Sequence, residues 1–533
     1  MHGILELSLQ LLNSFQPANL ATPTTKSSEL PDYFVTDDGH FQGPTQTGSA
    51  PFLAQTNLAP FAGVSYIPNT PLETQVPIAG NVDNKNIFQS LANISPYFPN
   101  PRGFGVNEYP VPAGTNVTWL NMVHRHGSRY PEVSGEAAER TLGKKLTDAA
   151  GKFTGHGPLS FLNDWKFLLG AEILVPNGKQ ELFTSGTLHY YQYGHLYPNN
   201  GSKEYDAATH DGVCRDFLAG FFGLGWPQNA TLELAIEAPG FNNTLAGYKQ
   251  CNHSSWYMAR GALMEWVGVY LHDAHQRFRS NITGDLDWTI SDTYNAQALC
   301  SYETVSLGFS HWCGLFTYEE WEGYEYALDI AFQAGTGFAS PVGRAIGIGY
   351  VEEVLARMQH HVITSPSAQI NVTLDNNTVT FPVDQNLNLD FSHDAGILSI
   401  LVAFGLTQFN DALPTTHIKK DREFILSHLQ PFAGRLDIEV IKAPAPVNPK
   451  RGDKKVYLDG EPTSYVHFIL NQRTIPLGRS HKECGDRDDG WCEMETFLKV
   501  QKKQIELADY DYACFGEYND PAYGDVVDGR PVA

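Results

Sequence analysis

Positive charge is scarce in this chain. Its 533 residues carry 36 Lys and Arg against 59 Asp and Glu, a formal net charge of −23. Nucleic acid and anionic membrane are gripped by clustered cations, so the balance argues against both as partners. It also sets a condition: an anionic substrate would need a local cluster of positive charge to overcome the surface field. Long apolar runs are missing too, and none reaches the roughly 20 residues of a membrane-spanning helix. A good secretory leader is not evident either. Residues 4–12, ILELSLQLL, are broken by Glu6 and follow no Lys or Arg, so either the leader is atypical or the true start lies upstream. No internal repeat is found. Gly343–Gly349 lacks the G-x-G-x-x-G spacing of a dinucleotide site and reads as a close backbone turn before an amphipathic helix. The pairs His272/His275 and His360/His361 lack further ligands at metal-site spacing.

Cysteine is sparse rather than absent. Seven cysteines do not make a disulfide-dense scaffold, but their placement suits an oxidising compartment. Cys300/Cys313 and Cys484/Cys492 lie close enough to close short loops, and Cys251 with Cys514 would then leave Cys214 over. Connectivity does not follow from sequence, so this pairing is an expectation. The acidic GDRDDG stretch at 485–490 would be a loop closed by Cys484 and Cys492. Nine N-x-Ser/Thr sequons begin at Asn93, Asn116, Asn200, Asn229, Asn242, Asn252, Asn281, Asn371 and Asn376. Together they point to a secreted chain carrying N-linked glycans.

The remaining composition, 42% hydrophobic and 12% aromatic, is that of a globular protein. The length suits two domains, or one large α/β domain with an inserted helical lobe. Residues 1–50 are expected to be poorly ordered. Residues 15–115, rich in Pro, Asn, Thr and Gly, read as an extended arm over the surface. Strands are expected at 116–123, 231–237, 387–392, 435–441 and 465–470, the last turning at Asn471-Gln472. Ala138, Leu142, Leu146, Ala149 and Phe153 share a helical face, and 395–404 reads as a buried helix. Between 244 and 335 the pattern is helical and aromatic. Alternating strands and helices imply an α/β fold with a mixed central sheet.

Two loops carry the chemistry. Arg125-His126-Gly127-Ser128-Arg129 follows one strand and His393-Asp394 another, and in open α/β sheets ligands bind at such carboxyl ends. Arg125 and Arg129 offer permanently charged, bidentate donors to phosphate oxygens. His126 suits a nucleophile, since guanidinium neighbours favour its neutral form. Asp394 suits a proton donor to a departing alkoxide, and an acid optimum follows. His124 should point away, because adjacent strand residues face opposite sides.

RHGSRYP followed far downstream by SHD resembles the histidine acid phosphatases, particularly their fungal acid phosphatase and phytase branch. Further blocks look like that branch, among them YIPNTPLETQVPIAG, RAIGIGYVEEVLAR, DFSHDAGILSILVAFGLTQF and YVHFILNQRTIPLG. The resemblance implies a phosphoglycerate-mutase-like α/β domain, here 51–243 with 336–533, and a smaller inserted α-helical cap at 244–335. It implies His126 as the phosphorylated nucleophile and Asp394 as proton donor. Arg125, Arg129 and His393 would hold the phosphate of a monoester substrate, phytate being one candidate, without metal or organic cofactor. One departure stands out. The family's third phosphate-binding arginine is not found in residues 204–216, where Arg215 is the only arginine and stands out of place. The alternatives are therefore a catalytically impaired phosphate-binding glycoprotein of the same fold, or a phosphoglycerate-mutase-like phosphotransferase.

Overall fold

The computed structural model describes residues 78–80, 85–133, 138–198, 204–208 and 211–532. The amino-terminal segment 1–50 lies outside these residues, as do residues 15–77 of the expected arm. Ten strands are found: β1 (Asn116–Arg125), β2 (Phe153–Gly155), β3 (Glu204–Ala208), β4 (Ala230–Leu234), β5 (Ile282–Gly284), β6 (Leu387–Ser392), β7 (Arg435–Ala443), β8 (Thr463–Leu470), β9 (Arg473–Ile475) and β10 (Cys492–Glu493). Eight of them form one mixed sheet in the order β10-β8-β7-β1-β6-β3-β4, with β9 against β8, while β2 and β5 make a separate ribbon.

β1 is the seam of this sheet. It runs parallel to β6, with Arg125 opposite Ser392, and antiparallel to β7. On the far side, β6, β3 and β4 are mutually parallel. Because β1 and β6 point the same way, the loops that follow them emerge side by side at one sheet edge. From Trp119 to Arg125 every residue of β1 is buried, as a strand covered on both faces requires.

Helices cover those faces. On one side lie α2 (Pro176–Tyr193) and α3 (Asp211–Phe222), whose Leu182, Phe217 and Phe221 pack with Leu120, Met122, Leu389 and Phe391 of the sheet. On the other lie α8 (Gly343–Met358), α9 (Asp394–Ala403) and α10 (Met494–Ala508). Before them in the chain come α1 (Ala138–Asp148), α4 (Tyr257–Tyr270), α5 (His272–Ser280), α6 (Ile290–Leu307) and α7 (Tyr318–Gly335). Capping boxes start α6 at Thr289 and Asp292 and α7 at Thr317 and Glu320. α1 is tied to the start of α6 by Lys145 on Asp292, 2.5 Å.

Three sequence expectations need correction. The apolar face traced from Ala138 to Phe153 is not one helix: α1 stops at Asp148, Gly151 turns the chain at φ 76°, and Phe153 starts β2. The glycines from 343 to 349 do not form a turn before a helix; they lie inside α8. A Cβ on Gly347 would sit 2.2 Å from the Ser399 carbonyl oxygen, so glycine here lets α8 and α9 approach backbone to backbone. Nor is the described part of the arm a surface wrap. Ile87, Phe88, Leu91, Ala92, Ile94, Phe98 and Phe104 are buried. The reason is compositional: apolar residues there recur without helical or strand period, and tertiary packing supplies the order.

The cysteines pair as expected, Cys251–Cys514, Cys300–Cys313 and Cys484–Cys492, with Cys214 unbridged and buried. In the loop closed by the last bridge, Asp486 and Asp488 pair with Lys450, and Asp489 with Arg451 and Arg487.

The α8–α9 contact yields a stability test. Gly347→Ala forces a methyl against rigid backbone, and overpacking of this kind costs about 1–3 kcal/mol. A lowered urea midpoint is expected, and an unchanged one would mean that the helices can separate at no cost.

Candidate active site

β1 delivers Arg125 and then, just past its end, His126; β6 delivers Ser392 and then His393 and Asp394. The His126 and His393 rings lie 5.5 Å apart, edge to face. His124 turns to the opposite face of the sheet, as strand alternation predicts. There its Nε2 meets Ser185 Oγ at 2.8 Å and its ring lies against Phe217.

The His126 ring is fixed from both sides. Its Nδ1 donates to the Gly127 carbonyl at 2.9 Å, and its Nε2 accepts from Arg129 Nε at 3.2 Å. That assignment makes Nε2 the nitrogen with the lone pair. Burial, followed by the charges of Arg129, Arg125 and His393, holds the imidazole well below the usual histidine range. It is therefore neutral in moderately acidic solution.

Arg125 is 2% exposed and is gripped by three segments. Nη2 pairs with Asp394 Oδ2 at 2.7 Å, while Nη1 donates to the Gln430 carbonyl at 2.7 Å and to the Asn93 carbonyl. Its guanidinium lies 4.9 Å from the Phe432 ring centroid, and its buried Nε has no hydrogen-bond partner among the described residues. Asn93 also donates its side-chain amide to Asp394 Oδ2 at 2.8 Å, and Ala395 N–H donates to Oδ1. Burial pushes the Asp394 carboxyl up, but Arg125, Asn93, the Ala395 amide and His393 together outweigh it and leave the group below its ordinary range.

Behind these residues lies a frame of buried acids. Glu325 accepts from Ala92 N and Ser427 N, and Asp329 from Leu426 N and Arg422 Nε. Glu181 of α2 accepts from Tyr97 N and from Ser128 N and Oγ. Ala92 and Ala433, at φ 53° and 54°, stand in the two loops that hold Arg125, and Ala433 N donates to the His126 carbonyl. Non-glycine residues keep such a conformation only where the surroundings enforce it. Gly178 opens α2 to the loop that carries His126: a Cβ there would overlap the Ser128 carbonyl at 1.9 Å.

Profile comparison decides the family. The description "Histidine phosphatase superfamily (branch 2)" matches residues 116–471. The chain belongs to that superfamily. Curated members similar to it include Phytase A of Aspergillus awamori, 29% identical over 436 residues, covering 77% of this chain and 85% of that protein. Phytase A of Aspergillus oryzae is 28% identical over 431 residues, covering 76% and 86%. Among solved structures, the phytase from D. castellii superposes with a TM-score of 0.63 at 21% identity, covering 82% of this chain and 89% of that one. The protein is thus a phosphoric monoester hydrolase of the histidine acid phosphatase family.

All five sequence-predicted site residues, Arg125, His126, Arg129, His393 and Asp394, gather around one point. Several neighbours were missed. Glu237, just beyond β4, accepts from His393 Nε2 at 2.8 Å and from the Tyr248 hydroxyl. Burial raises its carboxyl, but the His393 and Tyr248 contacts prevail and bring it to about 2. Its place after a parallel strand was a usable signal. Asn93 gave only a glycosylation signal, and Glu132, bound to Arg129, was available from its i+3 spacing. Arg215 lies exposed on α3 and acts on the neighbouring Asp216, while residues 209–210 between β3 and α3 lie outside the described residues.

Two tests follow. Asn93 Nδ2, the atom a glycan would occupy, is engaged with Asp394; glycopeptide mapping of active protein is expected to find Asn93 unmodified, and high occupancy with full activity would contradict this arrangement. The second test is the pH dependence of stability. Burial raises the carboxyls of Glu139 (to about 7), Glu181, Asp216, Glu303, Glu325, Asp329, Glu353 and Asp375. Such groups contribute stability that is complete below the unfolded value, about 4, and is lost as pH rises through the folded values toward neutrality. Burial lowers His124, His126, His275, His428 and His481, which act oppositely, removing stability as pH falls below about 6.5. The carboxyls outnumber the histidines, so the thermal midpoint is expected to be higher at pH 5 than at pH 7.5; the reverse order would refute this balance.

Proposed function

We propose that the protein is a secreted acid phosphatase acting on phosphate monoesters, phytate among them, through a phosphohistidine on His126. The observation that carries the reading is the His126 environment: Nδ1 is locked on a carbonyl, Nε2 is bare of its proton, and two guanidiniums flank it. Nε2 attacks phosphorus, an N–P bond forms and the P–O bond to the alcohol breaks. Asp394 gives its proton to the departing oxygen. Water then attacks the phosphohistidine, its proton passes to Asp394, and the N–P bond breaks to release phosphate and neutral His126.

Arg125, Arg129 and His393 hold the phosphate oxygens. Asp394 is a carboxylate while it faces Arg125 alone. An incoming phosphate dianion shares that cation and adds negative charge, which raises the carboxyl toward protonation. His393 is aimed by Glu237, itself held by Tyr248. Residues 51–243 with 336–533 serve as the α/β domain and 244–335 as the cap lobe, from which Tyr302 of α6 acts electrostatically on both Arg125 and Arg129. The three disulfides and the sequons support secretion, and the Phytase A relatives support phytate as a substrate.

The absent third arginine favours a second reading, a phosphate-binding glycoprotein of weak activity. Losing one charged donor to the transition state costs on the order of 3 kcal/mol, roughly a hundredfold in rate. Hydrolysis of p-nitrophenyl phosphate and phytate between about pH 2.5 and 7, with EDTA present, separates the readings. His126→Ala is expected to abolish turnover. Asp394→Asn is expected to slow alkyl esters by about 10²–10⁴, and p-nitrophenyl phosphate far less because its leaving group needs no proton. Equal loss on both substrates would refute Asp394 as the donor, and folded wild type without turnover would favour the binding protein.

A further inference from the structure

Arg129 is not waiting empty-handed. Its Nε donates to His126 Nε2, its Nη1 reaches the Tyr130 carbonyl at 3.4 Å, and its Nη2 pairs with Glu132 Oε1 at 2.7 Å. The arginine side chain is 15% exposed while the glutamate is 60% exposed, so the carboxylate approaches from the open side. That is the side from which a substrate must come.

The carboxylate is built into place. Pro131 precedes it, and the Glu132 carbonyl accepts from Arg140 Nε, whose Nη2 holds the Gly170 carbonyl. The next amide, Val133 N, donates to Glu172 Oε1 at 3.2 Å. Glu132 also lies close enough to act, with Glu237 and Asp394, on the Tyr248 hydroxyl. Both phosphate-facing guanidiniums are thus paired with a carboxylate in the unliganded protein, Arg125 with Asp394 and Arg129 with Glu132.

We propose that Glu132 is a specificity-determining residue that occupies the anion-binding side of Arg129, so a substrate phosphate binds only by displacing it. The inference rests on the phosphatase reading above. A phosphate dianion outcompetes one carboxylate for a guanidinium through greater charge and bidentate geometry. The displaced carboxylate remains tethered at the rim, where it repels any further phosphate the substrate carries. Glu132 thereby weakens all phosphate binding and disfavours crowded polyphosphates most. An exposed surface ion pair would ordinarily matter little. Here the guanidinium partner is mostly buried and contacts the nucleophile, so solvent screens the pair less.

The test is Glu132→Gln in the full chain. Inorganic phosphate binding is measured by titration calorimetry, and KM and kcat are measured for p-nitrophenyl phosphate and inositol hexakisphosphate at one acid pH. The phosphate Kd and both KM values are expected to fall, by about three- to tenfold, with the larger change for the hexakisphosphate. Retention of kcat within about twofold, and of the thermal midpoint, is expected because the side chain is exposed. Unchanged Kd and KM would reduce Glu132 to a surface pair, and raised values would make it a support for Arg129; either result overturns the proposal. A wild type that neither binds phosphate nor turns over would remove the phosphatase reading and this inference together. A competent wild type with an indifferent variant would remove this inference alone.

Discussion

The buried charge of Arg125 is the constraint around which the site is assembled. A guanidinium at 2% exposure is tolerable only if its charge is paired, because an unpaired buried ion costs several kcal/mol. The partners come from three parts of the chain remote from β1: Asn93 of the arm, Gln430 before β7, and Asp394 after β6. Satisfying one ion thus draws three remote segments to the end of β1, and His126 is the next residue along. The same arrangement explains why the arm is buried instead of lying on the surface. It is needed as a ligand to Arg125 and Asp394, and Glu325 secures it from below.

This local cluster also resolves the conflict between an acidic protein and an anionic substrate. The chain carries −23 overall, yet at the ends of β1 and β6 two guanidiniums stand beside histidines. Charges within a few ångströms in a poorly screened site outweigh a diffuse field beyond the Debye length. The cluster acts on chemistry as well as binding. It favours the neutral form of His126, while the nearby carboxylates limit the cost of holding two cations close together.

Much of this was legible in the sequence because it is local. RHGSRYP and His393-Asp394 each sit between a strand and a helix, and strand alternation placed His124 on the far face. β6 spans 387–392 as expected, and the two short cysteine spacings marked the pairs Cys300–Cys313 and Cys484–Cys492, leaving Cys251 for Cys514. What stayed hidden depends on tertiary contact. Phe153 continues the helical spacing of α1, but Gly151 ends the run and β5 captures the phenylalanine. The glycines of α8 looked like a turn because their role, close approach to Ser399, belongs to another helix 50 residues on. Asn93 carried a glycosylation signal and no catalytic one, since nothing local to residues 93–95 announces Asp394.

The position of β1 has a consequence for biosynthesis. Both of its sheet neighbours, β6 and β7, lie more than 260 residues further along the chain. During translation β1 leaves the ribosome with no strand to pair with, and the edges of its backbone stay open until about residue 443 is made. The apolar side chains of β1 are exposed over the same interval. Such a topology has high contact order and folds slowly, with an aggregation-prone nascent state. The Cys251–Cys514 link closes later still, once the final helices have emerged. Assembly of this sheet is therefore essentially post-translational, and it relies on chaperone and oxidase capacity where the chain matures rather than on domain-by-domain folding from the amino terminus.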